Sequence, residues 1–212
     1  MIGDPLGDAA RWLRDGGLLA YPTETVWGLG ADAGSEEAVG RLRSWKGRSE
    51  HAPISILVEG AHMLEVLDFE TGAAAQRLVS EFWPGPLTLV LPCRRRFASG
   101  VARDDGAVGV RCSLHPLAAA LARRLANEGV GPITSTSLNP SGAPAVRTRR
   151  EALACCDDAP AAPRMIDVEG AEAGDHPAST VVDLTGARPE VLRWGGLSEK
   201  VLAPVLAEIS AL

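Results

Sequence analysis

Apolar positions along the chain change period several times, and each change predicts an element. Ala9, Trp12 and Leu13 share one face of a helix over 8–15, stopped by Gly16-Gly17. Residues 18–21 form a short apolar strand. Ser35 with Glu36 and Glu37 opens a helix through Ala38, Val39 and Leu42, its acidic first turn matched to the helix dipole. Residues 53–58 read as a second buried strand, 61–67 and 72–82 as helices, and Trp83-Pro84-Gly85-Pro86 ends the latter. Strands follow at 87–91 and 107–111. His115-Pro116 starts a helix whose Leu117, Leu121 and Leu125 recur at helical spacing. Residues 132–136 read as a strand, and 164–168, 179–184 and 190–193 as short β-like runs. Ser198 caps a final helix with Val201, Leu202, Val205, Leu206 and Ile209 inward. The Ala-, Pro- and Asp-rich stretch 157–163 reads as a mobile loop. Strands and helices interleave without strict alternation, which predicts an α/β or α+β fold with a mixed sheet.

The run YPTETVWGLG at 21–30 is the focal stretch. It follows the first strand directly, so it reads as a buried strand ending in a loop rich in hydroxyls. Pro22 favours extended backbone at Tyr21, and Gly28 and Gly30 permit a tight turn or a close approach to a ligand. An ordinary strand-to-helix connection accounts for the same residues.

Composition narrows the class. The 212 residues suit one larger domain or two small ones, and 46% apolar content is enough for a sizeable core. Aromatics are only 4%, so Ala, Leu and Val must fill most of it. A formal net charge of −6 argues against a general nucleic-acid coat. Local basic clusters still stand out: Arg41, Arg43, Lys46 and Arg48; Arg94 to Arg96; Arg147, Arg149 and Arg150. Cys93, Cys112, Cys155 and Cys156 show no C-x-x-C spacing and read as reduced thiols of a cytoplasmic protein. No apolar run is long enough to span a membrane, and the N-terminus lacks a signal-peptide pattern.

Three groups carry candidate chemistry. Lys46-Gly47-Arg48 sets two cations at one loop, as a phosphate grip or as a solvated basic helix end. Ser135-Thr136-Ser137-Leu138-Asn139 ends a strand, where α/β sheets bind ligands; a turn rich in good turn formers reads the same. Arg111 and Arg193 end apolar strands, as ligand clamps or as rim ion pairs. His115 is a candidate base or a helix-start residue. There is no P-loop, no G-x-G-x-x-G fingerprint, and no Ser/His/Asp or His/Cys metal arrangement.

Together these stretches resemble the YrdC/TsaC family, the threonylcarbamoyl-AMP synthases. The resemblance rests on 21–30, Lys46-x-Arg48, WPGPLT at 83–88, Arg111 with His115-Pro116, Ser137-x-Asn139 with Ser141-Gly142, STVVD at 179–183, and Leu192-Arg193. These occur in the family's order over roughly 8–200. The resemblance implies a single twisted mixed-sheet domain over 1–212, of the short form without an added C-terminal domain, around a concave basic cavity. It implies synthesis of L-threonylcarbamoyladenylate from L-threonine, bicarbonate or CO2, and ATP, with pyrophosphate released. Transferase partner proteins would then pass the group to tRNA.

By family position, Lys46 and Arg48 neutralise the triphosphate, whose own oxygens hold most of the Mg2+. Ser137, Asn139 and Arg193 hold the nucleotide. Thr23, Thr25, Arg111 and Ser135 hold threonine, with Arg111 on its carboxylate. The chain departs from the family pattern at Ser49, Ala52, Ala107, Leu138, Ala145 and Ala178. These departures leave two alternatives: a related module that binds tRNA or double-stranded RNA without making the adenylate, and a carbamoyl-transfer relative.

Overall fold

The computed structural model describes residues 3–49, 52–156 and 162–210. Most of the loop expected at 157–163 therefore lies outside the described residues. In chain order the elements are α1 (Pro5–Arg14), β1 (Leu19–Pro22), β2 (Trp27–Gly30), α2 (Glu36–Lys46), β3 (Ile56–Leu57), α3 (Met63–Val66), α4 (Ala73–Phe82), β4 (Leu87–Pro92), β5 (Ala107–Arg111), α5 (Pro116–Asn127), β6 (Ile133–Thr134), β7 (Thr136–Ser137), α6 (Arg149–Cys155), β8 (Arg164–Met165), β9 (Thr180–Asp183), β10 (Glu190–Arg193) and α7 (Glu199–Ser210).

The expected mixed sheet is present as two. One runs β7-β2-β1-β8 and the other β10-β9-β4-β5-β3-β6. The second alternates antiparallel and parallel pairs, with β9 parallel to β4 and β3 parallel to β5.

The focal stretch departs from the strand-then-loop expectation. Trp27–Gly30 returns as β2, antiparallel to β1 with Leu19 opposite Gly30 and Pro22 opposite Trp27. Only 23–26 turns, closed by the Thr23 hydroxyl, which donates to the Val26 carbonyl at 2.7 Å. Gly28 and Gly30 are strand residues that make room for an aromatic ring. A Cβ on Gly28 would lie 2.9 Å from the Tyr21 ring, and one on Gly30 would lie 2.9 Å from Ile133 Cδ1. Successive residues before and within β1 face different cores. Leu18 and Ala20 join the larger cluster with Trp27, Leu29 and Leu89, while Leu19 and Tyr21 join Leu13, Leu121 and Leu125 beneath α1 and α5.

Caps set several helix ends. Asp4 accepts from the Gly7 N–H at the start of α1, and Ser35 accepts from Ala38 at the start of α2. Gly47 ends α2 at φ 59°. Helix α6 was not anticipated. Thr148 and Glu151 form a reciprocal capping box at its start. In α7, Leu202 and Val205 are buried but Val201 is half exposed, against expectation. It precedes Leu202 by one position, about 100° around the helix, and so turns off the core face. Among the described residues no helix is long and apolar enough to cross a membrane.

The predicted strand at 132–136 divides. Ile133–Thr134 pairs with β3 in the six-stranded sheet, and Thr136–Ser137 pairs with β2 in the four-stranded one. Ser135 is the crossing residue, its N–H on the Ser55 carbonyl at 2.6 Å. The chain thus passes between sheets beside a cavity that both sheets line.

Candidate functional site

That cavity holds about 320 Å³. The 23–28 hairpin and 135–137 form one wall, and Thr88, Gly109, Arg111, Val181 and Arg193 of the six-stranded sheet form the other. Of the expected site residues, Thr23, Thr25, Arg48, Arg111, Ser135, Ser137 and Arg193 line it; Lys46 and Asn139 stand behind.

Four arginines reach the cavity, and their charges are compensated differently. Arg103 is tied to Asp183 at 2.5 Å and also to Asp105, which raise its pKa. Arg111, only 7% exposed, meets the buried Glu24 at 2.5 Å. Among the described residues Arg48 and Arg193 have no carboxylate partner. Arg48 donates to the Ala52 and Pro53 carbonyls at 3.1 and 2.7 Å, and Arg193 to the Ser179 carbonyl at 2.8 Å. Burial lowers the pKa of each; the charges of Arg43 beside Arg48 and of Arg111 beside Arg193 lower them further. Two guanidiniums on one polar cavity, with no described carboxylate on either, have the chemistry to hold an anion inside an acidic protein.

A bulge builds part of that site. Register shifts between Val191 and Arg193, so Val191 faces Val182 while Arg193 faces Val181. Leu192 and Arg193 consequently both line the cavity, although they are adjacent in sequence.

The same cavity holds a hydroxyl cluster. Thr23 and Thr25 share a hydrogen bond of 2.9 Å, and the Tyr21 hydroxyl donates to Ser135 Oγ at 3.3 Å. Arg111 and Ser113 occupy one carboxylate oxygen of Glu24 each. Arg111 Nε is buried without a partner among the described residues. A guanidinium beside four hydroxyls suits a small hydroxylated carboxylate.

Lys46 is 3% exposed, and its ammonium donates to the Ser137 and Asn139 carbonyls at 2.5 and 2.6 Å. Burial, then the charge of Arg48, lowers its pKa to about 8. Its own carbonyl accepts from the Ser141 N–H at 2.7 Å. Lys46 thus ties the end of α2 to the 137–141 loop. Asn139 Nδ2 donates to the Pro140 and Ala143 carbonyls, leaving Oδ1 buried and without a partner among the described residues.

Sequence reasoning passed over Ser55 and Arg103, which line the cavity, and gave no role to Thr88 and Ser179, whose hydroxyls lie 2.8 Å apart there. The STVVD and WPGPLT motifs signalled the latter two; nothing in local sequence pointed to Ser55 or Arg103. His115 is a capping residue. Its Nδ1 accepts from the Leu117 N–H, so Nε2 carries the proton toward the Glu172 carbonyl at 2.9 Å. All four cysteines are free, and burial pushes the thiols of Cys112 and Cys156 up to about 11 and 12. Among the described residues no cluster of three or more metal-ligating side chains occurs. The other basic runs are separately engaged: Arg94 pairs with Glu70, and Arg149 donates to the Val168 carbonyl.

Comparison with known proteins places this geometry. Residues 11–195 match the Sua5/yciO/yrdC family, described as "Telomere recombination". A Mycobacterium tuberculosis relative is 36% identical over 92% of this chain and 85% of its own length. A Pyrococcus abyssi relative, named threonylcarbamoyl-AMP synthase, is 37% identical over 95% of this chain and 57% of its own length. The crystal structure of P. abyssi Sua5 complexed with L-threonine superposes with a TM-score of 0.84, covering 96% of this chain and 57% of that one.

Proposed function

Because the chain belongs to the Sua5/yciO/yrdC family, we propose that it is a threonylcarbamoyl-AMP synthase. It makes L-threonylcarbamoyladenylate from L-threonine, bicarbonate or CO2, and ATP, for the threonylcarbamoyladenosine modification of tRNA. The carrying observation is one cavity with two kinds of arginine: Arg48 and Arg193, without carboxylate partners among the described residues, and Arg111, paired with Glu24 on a cavity that Thr23, Thr25 and Ser135 also line.

The threonine amine adds to CO2 and loses a proton, giving a carbamate. A carbamate oxygen then attacks the α-phosphorus of ATP, the bond to the β-phosphate oxygen breaks, and pyrophosphate leaves. The second step transfers a nucleotidyl group, so the enzyme is a nucleotidyltransferase. It needs positioned cations more than a covalent nucleophile. Arg48 and Arg193 meet the phosphates, and magnesium enters with the triphosphate as part of the substrate. Ser137 and Asn139 hold the nucleotide, through a loop that Lys46 fixes. Thr23, Thr25 and Ser135 surround threonine, whose carboxylate pairs with Arg111. The family domain spans the chain, the setting is cytoplasmic, and a tRNA threonylcarbamoyl-transferase consumes the product.

The test is pyrophosphate release from Mg-ATP and bicarbonate, with L-threonine present or omitted. Release that requires threonine is expected; release indifferent to threonine, or none from folded protein, overturns the assignment.

Lys46 adds a pH dependence. Its folded pKa of about 8 lies below the ordinary lysine value of 10.5. Above pH 8 the folded state sheds this proton while the unfolded state keeps it. Stability from this group therefore rises between about pH 8 and 10.5. Function runs the other way, because the neutral amine loses a donor and a positive charge. The kcat/KM for ATP is expected to fall as pH rises through about 8, and Lys46→Arg should move that fall to higher pH. A profile identical in both proteins would remove Lys46 as its source.

A further inference from the structure

We propose that Glu24 sorts the two anionic substrates, reserving Arg111 for the singly charged carboxylate of the amino acid and leaving the polyphosphate to Arg48 and Arg193. The proposal rests on the synthase assignment and adds a specificity-determining residue to it. The cavity presents its arginines to two ligands of very different charge. Magnesium-bound triphosphate still carries excess negative charge; threonine carries one carboxylate beside an amine. Bare guanidiniums at every position would favour the polyphosphate everywhere, including where threonine must sit.

The arrangement avoids that outcome. Glu24 is 6% exposed and both its oxygens are occupied, one by Arg111 Nη2 at 2.5 Å and the other by the Ser113 hydroxyl. The pair is electrically balanced, so Arg111 offers hydrogen-bond donors in a fixed plane with little net attraction for a multiply charged ligand. Among the described residues Arg48 donates to backbone carbonyls, and Arg193 to the Ser179 carbonyl and hydroxyl, so neither guanidinium meets a carboxylate there. Backbone holds Glu24 in place: Thr23 accepts from the Gly174 N–H at 2.8 Å, and a Cβ on Gly174 would lie 2.2 Å from the Glu24 carbonyl oxygen. Ser113 follows Arg111 by two residues, so the last residue of β5 supplies the cation and the segment just beyond it the hydroxyl that aims its counter-charge. Glu24 acts through Arg111 and is a positioning residue, not a catalytic one.

The two functions separate by mutation. Glu24→Gln keeps the shape and an acceptor for Arg111 but removes the charge. Ser113→Ala keeps the charge and removes the aim. Threonine KM is expected to rise in both, roughly 10–100-fold in Glu24→Gln, as when an outer partner of a ligating group is lost. The diagnostic readout is pyrophosphate inhibition. In the wild-type protein and in Ser113→Ala, pyrophosphate should compete with ATP alone; in Glu24→Gln it should also compete with threonine. A purely structural role for Glu24 does not create that second competition. Unchanged threonine KM, or competition against ATP alone in Glu24→Gln, overturns the proposal. If Glu24→Gln fails to fold by circular dichroism, Ser113→Ala decides, and an unchanged threonine KM there overturns it. Wild-type protein without threonine-dependent turnover would instead sink the synthase assignment. Calorimetric titration of threonine and of inorganic triphosphate into the same variants then tests the sorting directly.

Discussion

Replacing Arg111 with alanine should raise the KM for L-threonine from about thirtyfold to several thousandfold, the equivalent of about 2–5 kcal/mol for a buried charge-assisted contact. The KM for ATP should stay near the wild-type value. The asymmetry follows from charge, because Arg111 is paired with Glu24 while Arg48 and Arg193 have no carboxylate partner among the described residues. The substitution also leaves Glu24 buried without its cation, which is expected to cost roughly 3–5 kcal/mol of stability. Initial rates of pyrophosphate release should therefore be accompanied by urea unfolding. Arg111→Lys keeps a charge near Glu24 and should recover most of the stability but little of the threonine affinity, since one ammonium cannot reproduce a two-pronged contact. Equal loss of affinity for both substrates would show that Arg111 supports the cavity as a whole.

Arg48→Ala should give the opposite pattern. Its guanidinium is held by the Ala52 and Pro53 carbonyls at the cavity wall and has no described carboxylate to strand when it is removed. The kcat/KM for ATP is expected to fall by about 10²–10³, the loss seen when one preorganised donor to a developing negative charge is deleted. Threonine affinity, measured by calorimetry without nucleotide, should be unchanged, and the unfolding midpoint should move little. Arg48→Lys restoring full turnover would mean that charge alone suffices at that position; a drop in threonine affinity matching the drop for ATP would remove the division of labour between Arg48 and Arg111.

Much of this site could be read before the fold was seen, for reasons that are local. The strand at 107–111 appears with its expected bounds because four apolar or small residues, Ala107 to Val110, follow the polar turn at 104–106 and end on Arg111. Ser35 caps α2 as its hydroxyl and the following acids predict. What escaped depends on distant partners. Glu24 reads as a polar residue between two threonines until Arg111, far along the chain, is folded against it. Gly28 and Gly30 resemble turn residues because glycine serves tight turns and close packing alike, and only the Tyr21 ring distinguishes the two uses. Lys46 presents as a phosphate ligand by its spacing to Arg48, yet its ammonium rests on loop carbonyls. Helix α6 was missed although Thr148 and Glu151 have capping-box spacing, because the apolar residues after them are too few to show a period.

The crossing of the chain between the two sheets has a consequence for how the molecule is made. One wall of the cavity is supplied by the hairpin near residue 23 and the other is completed only by Arg193 on β10. At about 5–20 residues per second, roughly ten to thirty seconds separate the emergence of these two positions from a ribosome. During that interval the β1–β2 hairpin can close and, once residue 111 has emerged, Arg111 can pair with Glu24, but the bulged strand that carries Leu192 and Arg193 does not yet exist. A chain synthesised only as far as β9 therefore lacks the wall that β10 completes, and the cavity closes only once Leu192 and Arg193 have emerged and paired with β9.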